Sequence, residues 1–328
     1  MASGCGAACT HPRGRAGGRR AGSAARSDAL TVTMHRATGE PGVSGRDLDS
    51  VVAPGSRLLR HHPDVEPVLF VLGIAVVQAA LYLQPSAPVA ALGALVLWPL
   101  QTRSIYVAHN HHHHRVFRRR GLNLAFETLL FLQTGMPSYG FPLHHNFGHH
   151  AHYRNQDPAD PDADPHCWIG RDGRRLTRWA YTWRLLVRAI PCAKRLGLRY
   201  PRLWRGFLIA SSCYAAGLAL LAAARPLHML AVFLVPMSLS LAALAWSTYV
   251  HHLGLATDDP LGASYTNTDR WANLWGYNIG YHTAHHVRPG LHWSQLHALH
   301  ERIADDIPSH CYYDGGVAPY ALAHWPLQ

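Results

Sequence analysis

Two pairs of long apolar runs dominate the alternation of hydrophobic and polar positions. From Pro67 to Leu83 the chain reads PVLFVLGIAVVQAALYL, and after the break Gln84-Pro85-Ser86-Ala87-Pro88 it continues VAALGALVLWPLQTRSIYVA up to His109. A second pair follows, Trp204 to Ala224 and Leu227 to Val250, separated only by Arg225-Pro226. Each run is long enough to cross the roughly 30 Å hydrocarbon layer of a bilayer with little or no internal charge. Buried helices of a soluble protein usually keep a polar stripe, and these do not. The pattern predicts an all-α integral membrane protein, with four transmembrane helices in two hairpins at about 67–83, 89–108, 204–224 and 227–250.

The segments between the runs are shorter and more polar. Leu122 to Phe141 has apolar residues at Leu122, Phe126, Leu129, Leu130 and Leu132 but is interrupted by Glu127, Pro137 and Gly140, so it is predicted as an interfacial helix rather than a span. Asn155 to Asp164 is acidic and rich in Asp-Pro steps, which reads as a solvated turn in preference to a cation site. Trp293 to Ile307 has the period of an amphipathic helix packed on the body, leaving His297 and His300 at the surface. Residues 1–45 are Ala, Gly, Arg and Ser with almost no large apolar side chains, too little to offset the entropy of ordering. They are expected to be a disordered tail, with Met34 an alternative start, ahead of one membrane domain over 46–328.

Charge adds an orientation. Lys and Arg total 30 against 19 Asp and Glu, a net charge of +11. The arginines flank the predicted spans at Arg46, Arg57 and Arg60, at Arg115, Arg118, Arg119 and Arg120, and at Arg195, Arg199, Arg202 and Arg205, whereas Arg225 stands alone on the other side. By the positive-inside rule both termini are cytoplasmic. Anionic lipid headgroups account for such a balance, and no nucleic-acid motif accompanies it. The six cysteines contain no C-x-x-C pair and suggest neither a disulfide framework nor a zinc knuckle, consistent with a reducing compartment.

Histidine clusters supply the candidate chemistry. They lie at His109-Asn110-His111-His112-His113-His114, at His144 to His152, at His251-His252, and at His282-Thr283-Ala284-His285-His286. If the last stretch is helical from Asn278 onward, His282, His285 and His286 share one face, with Asn278 a turn earlier and able to orient a ligand. A purification tag sits at a terminus and has no such partners. The spacing H-x3-H-H recurs in the first two clusters, as His109, His113, His114 and as His145, His149, His150. One ion cannot use so many imidazoles, so the count argues for two metals in a cytoplasmic, histidine-rich helical cap. The chain has only four glutamates, none followed by His at the third position, which excludes the carboxylate-rich four-helix di-iron class; H-E-x-x-H is absent too. A histidine-rich metal transporter or sensor is the alternative of another class, but transporters generally set ionisable ligands at mid-membrane depth, and here they cluster at one end of the runs.

Two hairpins with histidine boxes after the second run, before the third, after the fourth and near the C-terminus resemble the integral-membrane fatty acid desaturase and hydroxylase superfamily, over roughly residues 60–310. Gly280 to His286 followed by Pro289-Gly290-Leu291-His292-Trp293-Ser294 is similar to a bacterial branch that also includes decarboxylases forming terminal alkenes. The resemblance implies two non-haem irons held by His109 with His113 or His114, by His145, His149 and His150, by His252, and by His282, His285 and His286. An Asn that usually stands four residues before the ligand after the fourth span is replaced here by Thr248, ahead of His252, or by Ser247, ahead of His251. His111 and His112 are spare. The implied reaction is O2-dependent hydrogen abstraction from a fatty acyl chain, giving desaturation, with hydroxylation or decarboxylation as alternatives at the same metals. No haem-binding H-P-G-G segment or cysteine quartet is present, so electrons are expected from a separate donor such as ferredoxin with its reductase.

Overall fold

The computed structural model describes residues 55–313; the predicted tail over 1–45 lies outside them. Helix α1 (Val65–Leu83) runs into a short turn and returns as α2 (Ala87–Gln101). The second apolar run is not one continuous span. Pro99, which cannot donate an i→i−4 bond, stands in the last turn of α2, and the chain turns at Thr102 and Arg103 before resuming as α3 (Ser104–His113). Arg103 is held at this kink by Glu66, 2.7 Å away, and by the carbonyls of Leu274 and Trp275. At 15 residues, α2 is about 22 Å long.

Next comes α4 (Arg120–Thr134), ended by Gly135 in the left-handed conformation, φ 72°. A Cβ at Gly135 would stand 2.8 Å from Leu241, so only glycine both turns the chain and lets the later helix approach. The sequence reading left residues 165–203 unassigned, but they contain a 22-residue helix, α5 (Arg178–Arg199), capped by Thr177 accepting from the Ala180 N–H. Its inner face buries Tyr181, Leu185, Ala193 and Leu196, while Trp179, Trp183, Val187, Ile190 and Leu198 are exposed. Such a two-faced helix, apolar outward and bordered by arginine, suits the plane of a membrane interface.

The second hairpin is α6 (Pro201–Ala224) and α7 (Val235–Thr248), the latter continuous with shorter helical turns from Pro226. Among the described residues three helical stretches are long and apolar enough to cross a membrane: His62–Leu83, Pro201–Ala224 and Pro226–His251. Arg225, alone between the two helices of this hairpin, donates to the carbonyls of Tyr82 and Gln84, and His228 lies 2.7 Å from the Gln84 carbonyl. These bonds tie the turn of one hairpin to the turn of the other. Between the helices, Gln78, Gln101 and Gln133 form a buried amide chain: Gln101 donates to the Gln133 carbonyl (2.6 Å) and Gln133 to that of Val71 (2.9 Å).

The C-terminal part is a compact cap of short helices, α8 (Arg270–Trp275), α9 (His282–Val287) and α10 (Leu296–Ile303). A two-residue parallel pairing of Thr266–Asn267 with Tyr312–Tyr313 pins its end. Its core joins Leu255, Ala284, Leu291, Leu296, Leu299 and Ile303 directly beneath α9. His300, predicted at the surface, is buried and stacked on Tyr281; His297 is exposed.

Candidate metal centre

Box one occupies the last turns of α3, where His109 and His113 stand at i and i+4 and point together into the protein. The intervening residues face elsewhere. His111 packs on Phe126 beside the ion pair of half-buried Arg115 with buried Glu127, and His112 stacks on Phe141. His114 lies at φ −136°, past the helix end, so its ring leaves the face of His109 and His113. Its Nε2 sits 2.9 Å from His61 Nε2 and its Nδ1 3.3 Å from the Gly290 carbonyl, so that of the two alternatives His113 joins His109 and His114 does not.

Box two is wound as a π-helical turn, Pro142–His149, wider than an α-helix and frequently found at functional sites. It aims His145 one way and His149 the other. His149 Nδ1 donates to Asp164 Oδ1 at 2.9 Å, which fixes the tautomer with Nε2 free and turned inward. His252, beyond the end of α7, is fixed likewise by donation from Nδ1 to the Ala263 carbonyl at 2.7 Å. That carbonyl fills the role expected of Thr248, whose hydroxyl instead bonds the Ala245 carbonyl and pairs with the Tyr181 hydroxyl.

Box three is helical only from His282. Tyr277 and Asn278 have φ of 51° and 62°, so the approach is a turn, and the side-chain amide of Asn278 donates to the Trp293 carbonyl. Asn278 therefore does not share the face of His282, contrary to expectation. Gly280 is needed there: a Cβ would come 2.6 Å from both the Asn267 carbonyl and Asn273 Oδ1. Buried Thr283 bonds Ser264 and Thr266 and anchors α9 to the loop behind it.

The boxes bring their rings together in two groups, His109, His113, His145 and His285, and His149, His252, His282 and His286. In each the ligand nitrogens lie within 4.8 Å of one another. His150 borders the first group, its Nε2 3.1 Å from that of His145 and 3.0 Å from that of His285. His285 Nε2 is also 3.0 Å from His109 Nε2, and in the second group His282 Nε2 lies 3.1 Å from His286 and 3.3 Å from His252. A hydrogen bond between imidazoles needs one proton between two nitrogens, and such branched convergence leaves lone pairs facing lone pairs. Both ring nitrogens of His113 are buried without a hydrogen-bond partner. A cation at the centre of each group would take one nitrogen from every ring and replace these opposed lone pairs with metal bonds, so the residues fit two metals. Burial keeps the imidazoles neutral, pushing His109 down to about 3 and His252 to about 4, and neutral imidazole is the ligating form.

Sequence reasoning missed Asp164 and His166. The loop that reads as a solvated turn is solvated at Asp157 and Asp160, but Asp164 is 2% exposed, and burial pushes its carboxyl up to about 7. With His149 held neutral by burial, the contact is a hydrogen bond rather than an ion pair. The signal for Asp164 was its place two residues before a histidine, in a segment stitched inward by Gln156.

An apolar cavity of about 140 Å³ reaches both groups, lined by Met136, Phe141, Leu185, Ile190 and Leu244 and closed by His109, His145, His149 and His282. The arrangement can present one apolar chain to two adjacent metals.

No curated protein matches the chain. A family model described as fatty acid desaturase matches residues 85–316. That match takes in both histidine groups and most of the chain, and the chain therefore belongs to the fatty acid desaturase family.

Proposed function

We propose that the protein is an O2-dependent, non-haem di-iron membrane oxidoreductase that removes hydrogen from a fatty acyl chain, acting as a desaturase. The observation that carries this reading is the junction of one apolar cavity with two imidazole groups. One iron would be held by His109, His113, His145, His150 and His285, the other by His149, His252, His282 and His286. Two irons bound there supply the reductive activation of O2 needed to break an unactivated C–H bond. The chain's own residues do the rest. Neutral imidazoles leave the metal charge uncompensated, Asp164 and the Ala263 carbonyl orient two of the rings, and the apolar walls hold the acyl chain against the groups.

The catalytic unit is read as residues 46–328, with four membrane-embedded helices and with the histidine groups and both termini on the cytoplasmic side. The exposed arginines Arg118, Arg119, Arg195 and Arg199 suit an acidic electron donor such as ferredoxin. The test is mass spectrometry of lipids and headspace gas from cells expressing the protein or its His286→Ala variant. New double bonds in acyl chains of unchanged length, absent with the variant, support the reading. Terminal alkenes one carbon shorter than a host fatty acid would replace it with decarboxylation, and hydroxylated chains with hydroxylation.

A further inference from the structure

One residue belongs both to the wall of the apolar cavity and to the outer surface. Helix α5 forms about 12 Å of that wall, through Leu185, Leu186, Ala189, Ile190 and Ala193. Among the described residues that line the cavity, Ile190 alone is largely exposed, at 63%. A side chain that borders the cavity and the outside at once marks a mouth. Building on the acyl-chain reading, we propose that the cavity opens sideways into the bilayer at Ile190, and that the substrate is a membrane-dissolved acyl chain with an anionic head, rather than one delivered from water on a carrier protein.

The helical period gives α5 three sides. The inner side sets Leu185, Ala189 and Ala193 at i, i+4 and i+8 against the cavity. A second side carries Arg184, Arg195 and Arg199, and the loop over 155–170 covers it. Arg184 donates to the Ile169 carbonyl at 2.8 Å, Arg195 to that of Pro161, and Arg199 pairs with Asp162 at 3.0 Å. The third side, with Trp179, Trp183, Val187 and Ile190, is apolar and exposed. Polar contacts thus close the basic side of α5, and the mouth lies on the apolar one. A stripe of that size belongs in hydrocarbon rather than in water. The neighbouring helix agrees. After Tyr200 the chain continues as α6, which is long and apolar enough to cross a membrane and whose Leu208 and Ile209 are exposed. Leu203 and Trp204 of α6 pack on Ala193 and Leu196 of α5, so the mouth stands beside the end of a span. Lys194, one turn beyond Ile190 on the same side, is exposed and offers a cation to an anionic head while its stem lies along the stripe. A fatty acid carboxylate and a phospholipid phosphate share that chemistry.

Full-length protein is reconstituted in phospholipid nanodiscs and given three probes with the same mid-chain diazirine: the unesterified fatty acid, a phosphatidylglycerol bearing that chain, and the chain on acyl carrier protein. Cross-links are mapped by mass spectrometry, which needs no turnover. Labelling at Met136 or Leu244 is expected from one or both bilayer probes, and the probe that labels identifies the head. Ile190→Trp should abolish it. So should Ile190→Cys blocked with a bulky maleimide after reconstitution, against wild type treated alike, because that variant folds before its mouth is closed. Val187→Trp, on the same stripe but outside the cavity wall, should label as wild type does. Undiminished labelling in both closed variants, equal loss in Val187→Trp, or cavity labelling by the carrier-protein probe alone would overturn the proposal. No labelling of the wild-type cavity by any probe would instead overturn the acyl-chain reading beneath it.

Discussion

Asp164→Asn replaces one acceptor by a donor while leaving size and shape almost unchanged. In the native protein one carboxylate accepts three bonds, from His149 Nδ1 at 2.9 Å, from Gln156 Nε2 at 2.9 Å and from the His166 backbone N–H at 2.8 Å. Its amide replacement can keep Oδ1 on His149 and His166, but its NH2 then faces the NH2 of Gln156, donor against donor, where water does not reach. That clash costs about 1–3 kcal/mol of stability. Loss of a carboxylate that orients a ligating histidine typically lowers metal affinity about 10–100-fold. Chelator competition on purified protein reads the affinity and a thermal melt reads the stability. Affinity at His149's iron within about twofold of wild type would show that Asp164 does not orient that ligand, and the reasoning would fail.

Changing His286 to Ala should lower iron affinity more than about a hundredfold, whereas His112→Ala and His114→Ala should retain both irons, because those rings sit in neither group; iron analysis after gel filtration decides. Gly280→Ala should destabilise the cap by roughly 2–4 kcal/mol, since its Cβ would meet a backbone carbonyl at 2.6 Å, and a melting curve without shift would contradict this. The iron-free protein should lose stability as pH falls. His109 and His252 are held at about 3 and about 4 against an unfolded value of 6.5, so the unfolded chain alone takes up protons between about 6.5 and 4. Each contributes up to about 3 kcal/mol that is present above pH 6.5 and lost toward pH 4, visible as a falling melting temperature. Reduction by ferredoxin should slow several-fold between about 50 and 200 mM salt, and no salt effect would remove the arginine face as its dock.

The apolar runs and the histidine spacing were readable because both are periodic signals, and a helical period says which residues share a face. His109 with His113, and His282 with His285 and His286, are placed by that period alone. It misleads where backbone geometry departs from the α-helix. His114 looked equivalent to His113, but the helix ends between them. Asn278 looked one turn from His282, but its φ of 62° sends it to Trp293, and nothing in the residue order announces that angle. The second apolar run gave no sign that α2 stops at Gln101, because the break depends on Pro99 together with the distant grip of Glu66, Leu274 and Trp275 on Arg103. Asp164 and His166 come from a loop, where no period operates and burial is decided by the tertiary fold.

The chain of glutamines between the helices bears on how such a protein assembles. Gln78, Gln101 and Gln133 are at most 2% exposed, and their amides are satisfied by carbonyls on other helices, Val71 on α1, Leu132 and Gln133 on α4, and Val232 ahead of α7. A helix inserted into lipid on its own would carry its amide unsatisfied in hydrocarbon, where neither water nor lipid tails can bond it. Only when both hairpins and α4 are present do all three amides find acceptors. The amides thus couple the packing of the two hairpins to that of α4, and a chain truncated before α4 would leave Gln78 and Gln101 without these acceptors.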